Sequence, residues 1–287
     1  MESQRVRRKV MVCGKMTSIY EGKPMIRKFL SKSALPLFGA AATLLMIAPA
    51  ALKAQFGAPP PQAPRPAKQV APEDLTGYWV SIVTEDWRWR MVTPAKGDYT
   101  SVPLNQAGRK AADAWDPDKD IAAGNQCKAY GAAAIMRVPG RLHITWVDDN
   151  TLKIDTDAGT QTRTFHFNAK VPASEAPSWQ GYSDASWDGL RPPPRRGGGA
   201  APAGGSLKVV TTYMKPGYLR KNGVPYSGDA VLTEYYDRTN EPNGDSWLIV
   251  TTIVHDPDNL NQDFVTSTHF KMEKDGSKFS PTACEAK

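Results

Sequence analysis

Across most of the chain, apolar and polar residues alternate with a period of two. Short runs of this kind recur between clusters of Gly, Pro, Asn and Asp. That is the pattern of strands with one buried and one wet face. The first run spans residues 75–92 (LTGYWVSIVTEDWRWRMV). It opens with Gly77-x-Trp79 and is rich in β-branched and aromatic residues, which predicts one long strand. In that strand Trp87, Trp89 and Met91 share a face with Trp79, and Arg88 and Arg90 take the other. Further strands are predicted over 141–147, 151–156, 160–167, 179–187, 206–214, 230–238, 247–254 and 264–272. Asp148-Asp149-Asn150 and Asp157-Ala158-Gly159 serve as hairpin turns. One helix is predicted, over 106–115, with Asn105 as its cap and Asp116-Pro117 as its stop. Residues 116–131 and 215–228 read as loops.

Closely spaced strands with a single short helix indicate an all-β domain, an antiparallel barrel of about eight to nine strands. Helical crossovers between strands are missing, which excludes a parallel α/β fold. Eight strands can just enclose one small ligand.

The net charge of +7 suggests nucleic acid or anionic membrane as partner, but its distribution removes that suggestion. Ten of the 36 basic residues and only two of the 29 acidic ones lie in residues 1–54, so residues 55–287 carry a net charge of −1. Residues 1–54 read as a signal peptide. Lys23 to Lys32 form the positive region, 34–52 are nearly all apolar, and small residues close the segment at Ala48-Pro49-Ala50 and Ala54. Of the two candidate starts, Met1 and Met25, translation from Met25 gives a leader of ordinary length. The implied location is periplasmic or secreted, with no membrane span after cleavage. Residues 55–72 read as a Pro-rich disordered tether and 73–287 as one barrel domain. Residues 190–205 (LRPPPRRGGGAAPAGG) read as a low-complexity hairpin loop. Cys127 and Cys284 remain after the leader, a pair suited to a disulfide in an oxidising compartment. In the chain-entropy picture such a bridge contributes roughly 4–5 kcal/mol. Two separate thiols are the alternative.

Several runs occur together in a fixed order. They are Gly108-Arg-Lys-x-x-Asp-Ala-Trp-Asp-Pro117 with Cys127 after it, Met136-Arg-x-Pro139 with Leu142-x-Ile144, and Gly159-x-Gln-Thr-Arg163. Gly181-x-Ser183-x-x-x-Trp187-Asp-Gly189, Leu207-x-Val-x-Thr211, Leu232-Thr-Glu-Tyr-Tyr-Asp-Arg238 and Asp256-Pro257 follow. In this order they resemble a family of exported bacterial lipocalin-like β-barrel proteins without an assigned activity. The resemblance covers about 75–284 and implies export and a lipocalin-like barrel. Relatives run from the Trp187-Asp-Gly189 corner straight into the next strand, and here residues 190–205 intervene.

Candidate chemistry is sparse. His143, His166, His255 and His269 lack ligand spacing, so no metal is expected and no cofactor is implied. Gly181-Tyr-Ser183 lacks a nucleophile elbow, and Gly197–Gly199 lie outside a strand-to-helix turn. On strand parity Arg163 shares a face with Phe165 and Phe167, and Glu234 with Leu232, Tyr236 and Arg238. If both faces point inward, the two charges must pair. Ringed by Trp87, Trp187, Tyr213 and Tyr236, with Trp79 and Trp89 in the lining, the pair would anchor a small hydrophobic or aromatic molecule. The alternatives are a structural salt bridge and an exposed pair. A further reading is a barrel isomerase or hydrolase with Glu234 as general acid or base. A third is an envelope interaction protein that holds no small ligand.

Overall fold

The computed structural model describes residues 65–172, 174–189 and 205–287. The leader 1–54 and almost all of the 190–205 loop lie outside the described residues. Eleven strands follow in chain order. They are β1 (Gly77–Ile82), β2 (Arg141–Asp148), β3 (Thr151–Thr156), β4 (Gln161–Phe167), β5 (Tyr182–Asp188), β6 (Ser206–Thr212), β7 (Gly217–Arg220), β8 (Val224–Tyr226), β9 (Val231–Asn240), β10 (Ser246–His255) and β11 (Phe264–Glu273). Nine of them close a barrel in the order β1-β11-β10-β9-β6-β5-β4-β3-β2, while β7 and β8 form a separate hairpin. β1 seals it, pairing antiparallel with β11 through Trp79↔Met272 and with β2 through Trp79↔Leu142.

Alternation within each strand sends one side-chain set inward. The interior is filled by Trp79, Phe165, Phe167, Tyr236, Phe270 and a shell of Leu, Ile and Val. Each such side chain contributes about 1.5–3 kcal/mol by leaving water. The barrel is therefore a packed core. One end is plugged by the chain that leads into β1. Ala67 N donates to Asn150 Oδ1 at 2.9 Å and Lys68 N to the Asp149 carbonyl, while Trp187 Nε1 donates to the Ala67 carbonyl at 2.9 Å. Ala67 and Leu75 are both buried there.

The other end carries a cap. It comprises α1 (Trp87–Arg90), α2 (Gln106–Asp113), α3 (Pro117–Ala122), a 3-10 turn (Gln126–Tyr130), α4 (Ala132–Ile135) and the β7–β8 hairpin. A second apolar cluster joins Leu104, Ala112, Leu219 and Val224 in the cap to Leu232, Val254 and other strand-end residues of the barrel. Asn105 caps α2, accepting from Gly108 N at 2.8 Å.

Several sequence expectations need correction. The first strand ends at Ile82 instead of Val92: β2 begins at Arg141, opposite Val80, and the pairing with β11 stops at Ile82↔His269 although β11 runs on to Phe264. Asp86 then takes a left-handed conformation (φ 51°) and 87–90 coil into a helical turn. Trp87 is thereby 64 % exposed and Arg90 is buried, the reverse of the strand reading. The barrel is mixed, since β4 and β5 run parallel. The chain returns to the opposite end between Phe167 and Tyr182, a connection long enough for such a crossover, and its described residues form no helix. The cap holds four short helices where one was expected. The 215–228 loop contains the β7–β8 hairpin, and the last part of the Pro-rich tether, from residue 65, packs on the barrel.

The tail after β11 climbs the outside of the wall toward the cap. Phe279 meets Tyr78 and His143 edge-on, and Thr282 N donates to the Asp157 carbonyl at 2.8 Å. Cys284 is joined to Cys127 in a disulfide. No helix among the described residues is long and apolar enough to cross a membrane.

Candidate functional site

Arg163 on β4 and Glu234 on β9 both point into the barrel and are 1 % and 0 % exposed. Exposure to solvent, one of the three readings of this pair, is thereby excluded. The pairing is bidentate: Nη1 donates to Oε1 at 2.9 Å and Nη2 to Oε2 at 2.7 Å. Arg163 also donates to Tyr236 Oη at 3.2 Å and Thr211 Oγ1 at 3.3 Å, and its guanidinium lies 5.0 Å from the Phe165 ring centre. Burial alone would lower the Arg163 pKa, but the Glu234 carboxylate outweighs it and the net shift is upward. Burial first, and then the same carboxylate, raise the Tyr236 hydroxyl well above its usual range. Both carboxylate oxygens are occupied by the guanidinium. No imidazole or second carboxylate among the described residues hydrogen-bonds Glu234, and Asp155 instead pairs with Lys153 and accepts from Thr162 on the outer wall.

The other aromatic candidates separate. Trp79 lies in the core, its Nε1 donating to the Leu75 carbonyl at 3.0 Å. Trp187 packs on Phe167 at the plugged end. Tyr213, with φ 56° at the end of β6, is 45 % exposed, and Trp87 points to solvent. Trp89 lies in the cap. The structure thus brings Trp79, Arg163, Glu234 and Tyr236 into one core, with Trp187 packed against it at the plugged end, and leaves Trp87, Trp89 and Tyr213 outside it.

Open space is found in the cap. A cleft of about 350 Å³ lies between α1, α4, β7 and the C-terminal tail. Its charged lining is Arg90, Arg137, Arg220, Lys221 and Glu285, and its apolar walls include Met91, Val92, Val138 and Leu219. The three arginines are only 8, 5 and 4 % exposed. Arg90 pairs with Glu85 and donates from Nε to the Arg137 carbonyl at 2.8 Å. Arg137 Nη2 donates to Asp86 at 2.9 Å, while its Nη1 is buried without a partner. Arg220 Nη1 donates to the Thr100 carbonyl at 2.8 Å and Nη2 to Ser101 Oγ at 3.3 Å, with Nε unpartnered. Its guanidinium stacks 5.1 Å from the Trp89 ring centre. Burial first, and the nearby Arg137 charge next, lower the Arg220 pKa to about 10.

The tail wall is fastened by the disulfide and by Thr160 Oγ1, which donates to the Thr282 carbonyl at 2.8 Å. Gly159 makes this turn possible. It has φ +74°, and a Cβ there would lie 2.3 Å from Tyr130 Cδ1.

Sequence reading missed Arg90, Arg137 and Arg220 as a group. Arg137 stands in the Met136–Pro139 run noted above, but their convergence from three elements leaves no spacing to read. Among the described residues no cluster of His, Cys, Asp and Glu could hold a metal ion.

At the plugged end Glu73 is half-buried and accepts the Arg238 N–H with both oxygens at 3.0 and 3.1 Å. Burial, reinforced by Asp237, raises its pKa from 4.5 to about 7. The neutral carboxyl is therefore favoured in the fold. Its contribution to stability is complete below about pH 4.5 and is lost as the pH rises to about 7. Melting curves across that window should show a fall in Tm that is smaller in Glu73→Gln; equal slopes in the two proteins would refute the assignment.

No protein-family model matches this chain, and neither does any curated protein or solved structure.

Proposed function

We propose that this is an exported β-barrel protein of the lipocalin-like kind that binds a small molecule, and that the binding site is the cap cleft. The observation that carries this reading is the contrast between the two interiors. The barrel core is packed with rings around a bidentate Arg163–Glu234 pair that leaves only the Arg163 Nε without a partner. The cleft, in contrast, is open and combines apolar walls with converging guanidinium groups, the composition of a ligand site. Arg163 and Glu234 then act as a structural pair within the barrel. Export is supported by the signal-like composition of residues 1–54 and by the Cys127–Cys284 bridge, a cross-link that persists in oxidising compartments.

Native mass spectrometry of protein purified from its own envelope fraction tests the reading. A co-purified small molecule is expected, and it should be absent from Ala283→Trp. This substitution puts an indole into the cleft from an exposed position on the tail. Protein that is empty in repeated preparations, or an adduct that survives Ala283→Trp, would overturn it.

A further inference from the structure

Resting on the cleft as the binding site, we infer that its ligand is an organic monoanion, a carboxylate with a compact apolar body, whose charge is met by Arg220. Charge is unbalanced in a nearly buried wall. Of the four cations that line the cleft, three have acidic partners. Arg90 is paired with Glu85, Arg137 with Asp86 at 2.9 Å, and Lys221 with Glu285 at 3.8 Å. Arg220 makes no ion pair among the described residues and donates only to a carbonyl and a hydroxyl. The nearby Asp98 carboxylate is engaged elsewhere, accepting from Trp89 Nε1 at 3.2 Å and lying 3.7 Å from Arg88.

A buried guanidinium without a counter-ion is costly, because desolvation is not repaid by an opposite charge. The lowered pKa of Arg220 expresses that cost. The Nε of Arg220 and Nη1 of Arg137 are buried without a hydrogen-bond partner, so neither guanidinium is fully satisfied by the fold itself. One incoming negative charge offsets the single unpaired cation, and a carboxylate suits the planar donor geometry of arginine. Stacking on Trp89 holds the Arg220 plane in place.

The apolar half of the ligand follows from the rim. Met91 and Val92 are 59 and 70 % exposed beside the cleft, and Leu219 and Val138 continue the apolar wall inward. A purely inorganic anion would leave that surface uncovered. A hydrocarbon or aryl group attached to the carboxylate would cover it and add hydrophobic free energy.

The test uses the mature, disulfide-bonded protein with 4-phenylbutyrate, its amide and inorganic phosphate as probes, followed by calorimetry and by the Trp89 indole N–H signal in NMR. The carboxylate should bind at least tenfold more tightly than the amide, and phosphate more weakly than the carboxylate. Arg220→Gln should remove the preference for carboxylate over amide, and Arg220→Lys should keep part of it. Equal binding of acid and amide, phosphate binding as tight as phenylbutyrate, or an unchanged preference in folded Arg220→Gln would overturn the inference. If Arg220→Gln does not fold, the comparison of acid and amide on the unmodified protein decides alone. A neutral or cationic adduct that is lost in Ala283→Trp would sink this inference and leave the cleft assignment standing. Carboxylate binding that persists in Ala283→Trp would sink both.

Discussion

Replacing Arg163 with methionine should destabilise the barrel by about 3–5 kcal/mol, the cost of leaving a buried charge without its partner. The expectation follows from geometry. Glu234 is fully buried and receives two charge-assisted bonds, both from Arg163. Once the guanidinium is gone, the carboxylate has to be protonated or hydrated inside a ring-packed core. Thr211 and Tyr236 also lose a donor. Glu234→Leu should cost a similar amount, because the stranded charge is then the guanidinium. The double variant Arg163→Met with Glu234→Leu should recover at least half of either loss, since an apolar pair of similar volume needs no counter-charge. Denaturant unfolding of the four proteins completes the cycle. Single losses below about 1 kcal/mol would show that the pair does not hold the barrel. The double variant should also leave cleft binding unchanged, which separates the structural role of this pair from any role in ligand capture.

Cys127→Ser with Cys284→Ser should produce the second large effect, and it differs in kind. The bridge joins residues separated by 157 positions. The chain-entropy model then gives an upper figure of roughly 4–5 kcal/mol for its removal. Locally, the tail would keep its hydrogen bonds to Asp157, Thr160 and Tyr130, the Phe279 contacts with Tyr78 and His143, and the Lys221–Glu285 and Lys287–Asp118 pairs at the surface. Those are weak anchors, so the wall formed by Thr282, Ala283 and Glu285 should open. The expected signature is fast amide exchange at Thr282 and Glu285, a loss of carboxylate binding of tenfold or more, and a strand-rich far-UV spectrum that persists below the new Tm. Unchanged exchange at the tail together with a stability loss under 1 kcal/mol would contradict this account.

The two variants divide the protein as its sequence does. Barrel strands repeat with period two, and each is a local signal because successive side chains alternate faces whatever the neighbouring strand is. That is why β2, β3, β4, β6, β9, β10 and β11 stand close to where the alternation places them, and why the face shared by Arg163 and Phe165 was legible, as was that of Glu234 and Tyr236; that both faces point inward was decided by the closed barrel. The same rule misled at 87–90. Alternation there continues past Ile82, but β2 has no residues left to pair and Asp86 turns left-handed (φ 51°), so the chain leaves the sheet and satisfies its backbone in a helical turn. Trp87 and Trp89 consequently belong to a helical turn.

By itself, then, the chain determined an all-β barrel, the residues that share each strand face and the two cysteines available to cross-link it. Each of these depends on residues a few positions apart or on composition. The parallel β4–β5 pair, the plug from residue 65 onward, and the cleft were decided by the tertiary structure. Arg90, Arg137 and Arg220 come from a helical turn, the residues after a second helix and a hairpin strand, segments up to 130 positions apart in sequence. Their shared site exists only where the closing barrel brings those segments together over one end.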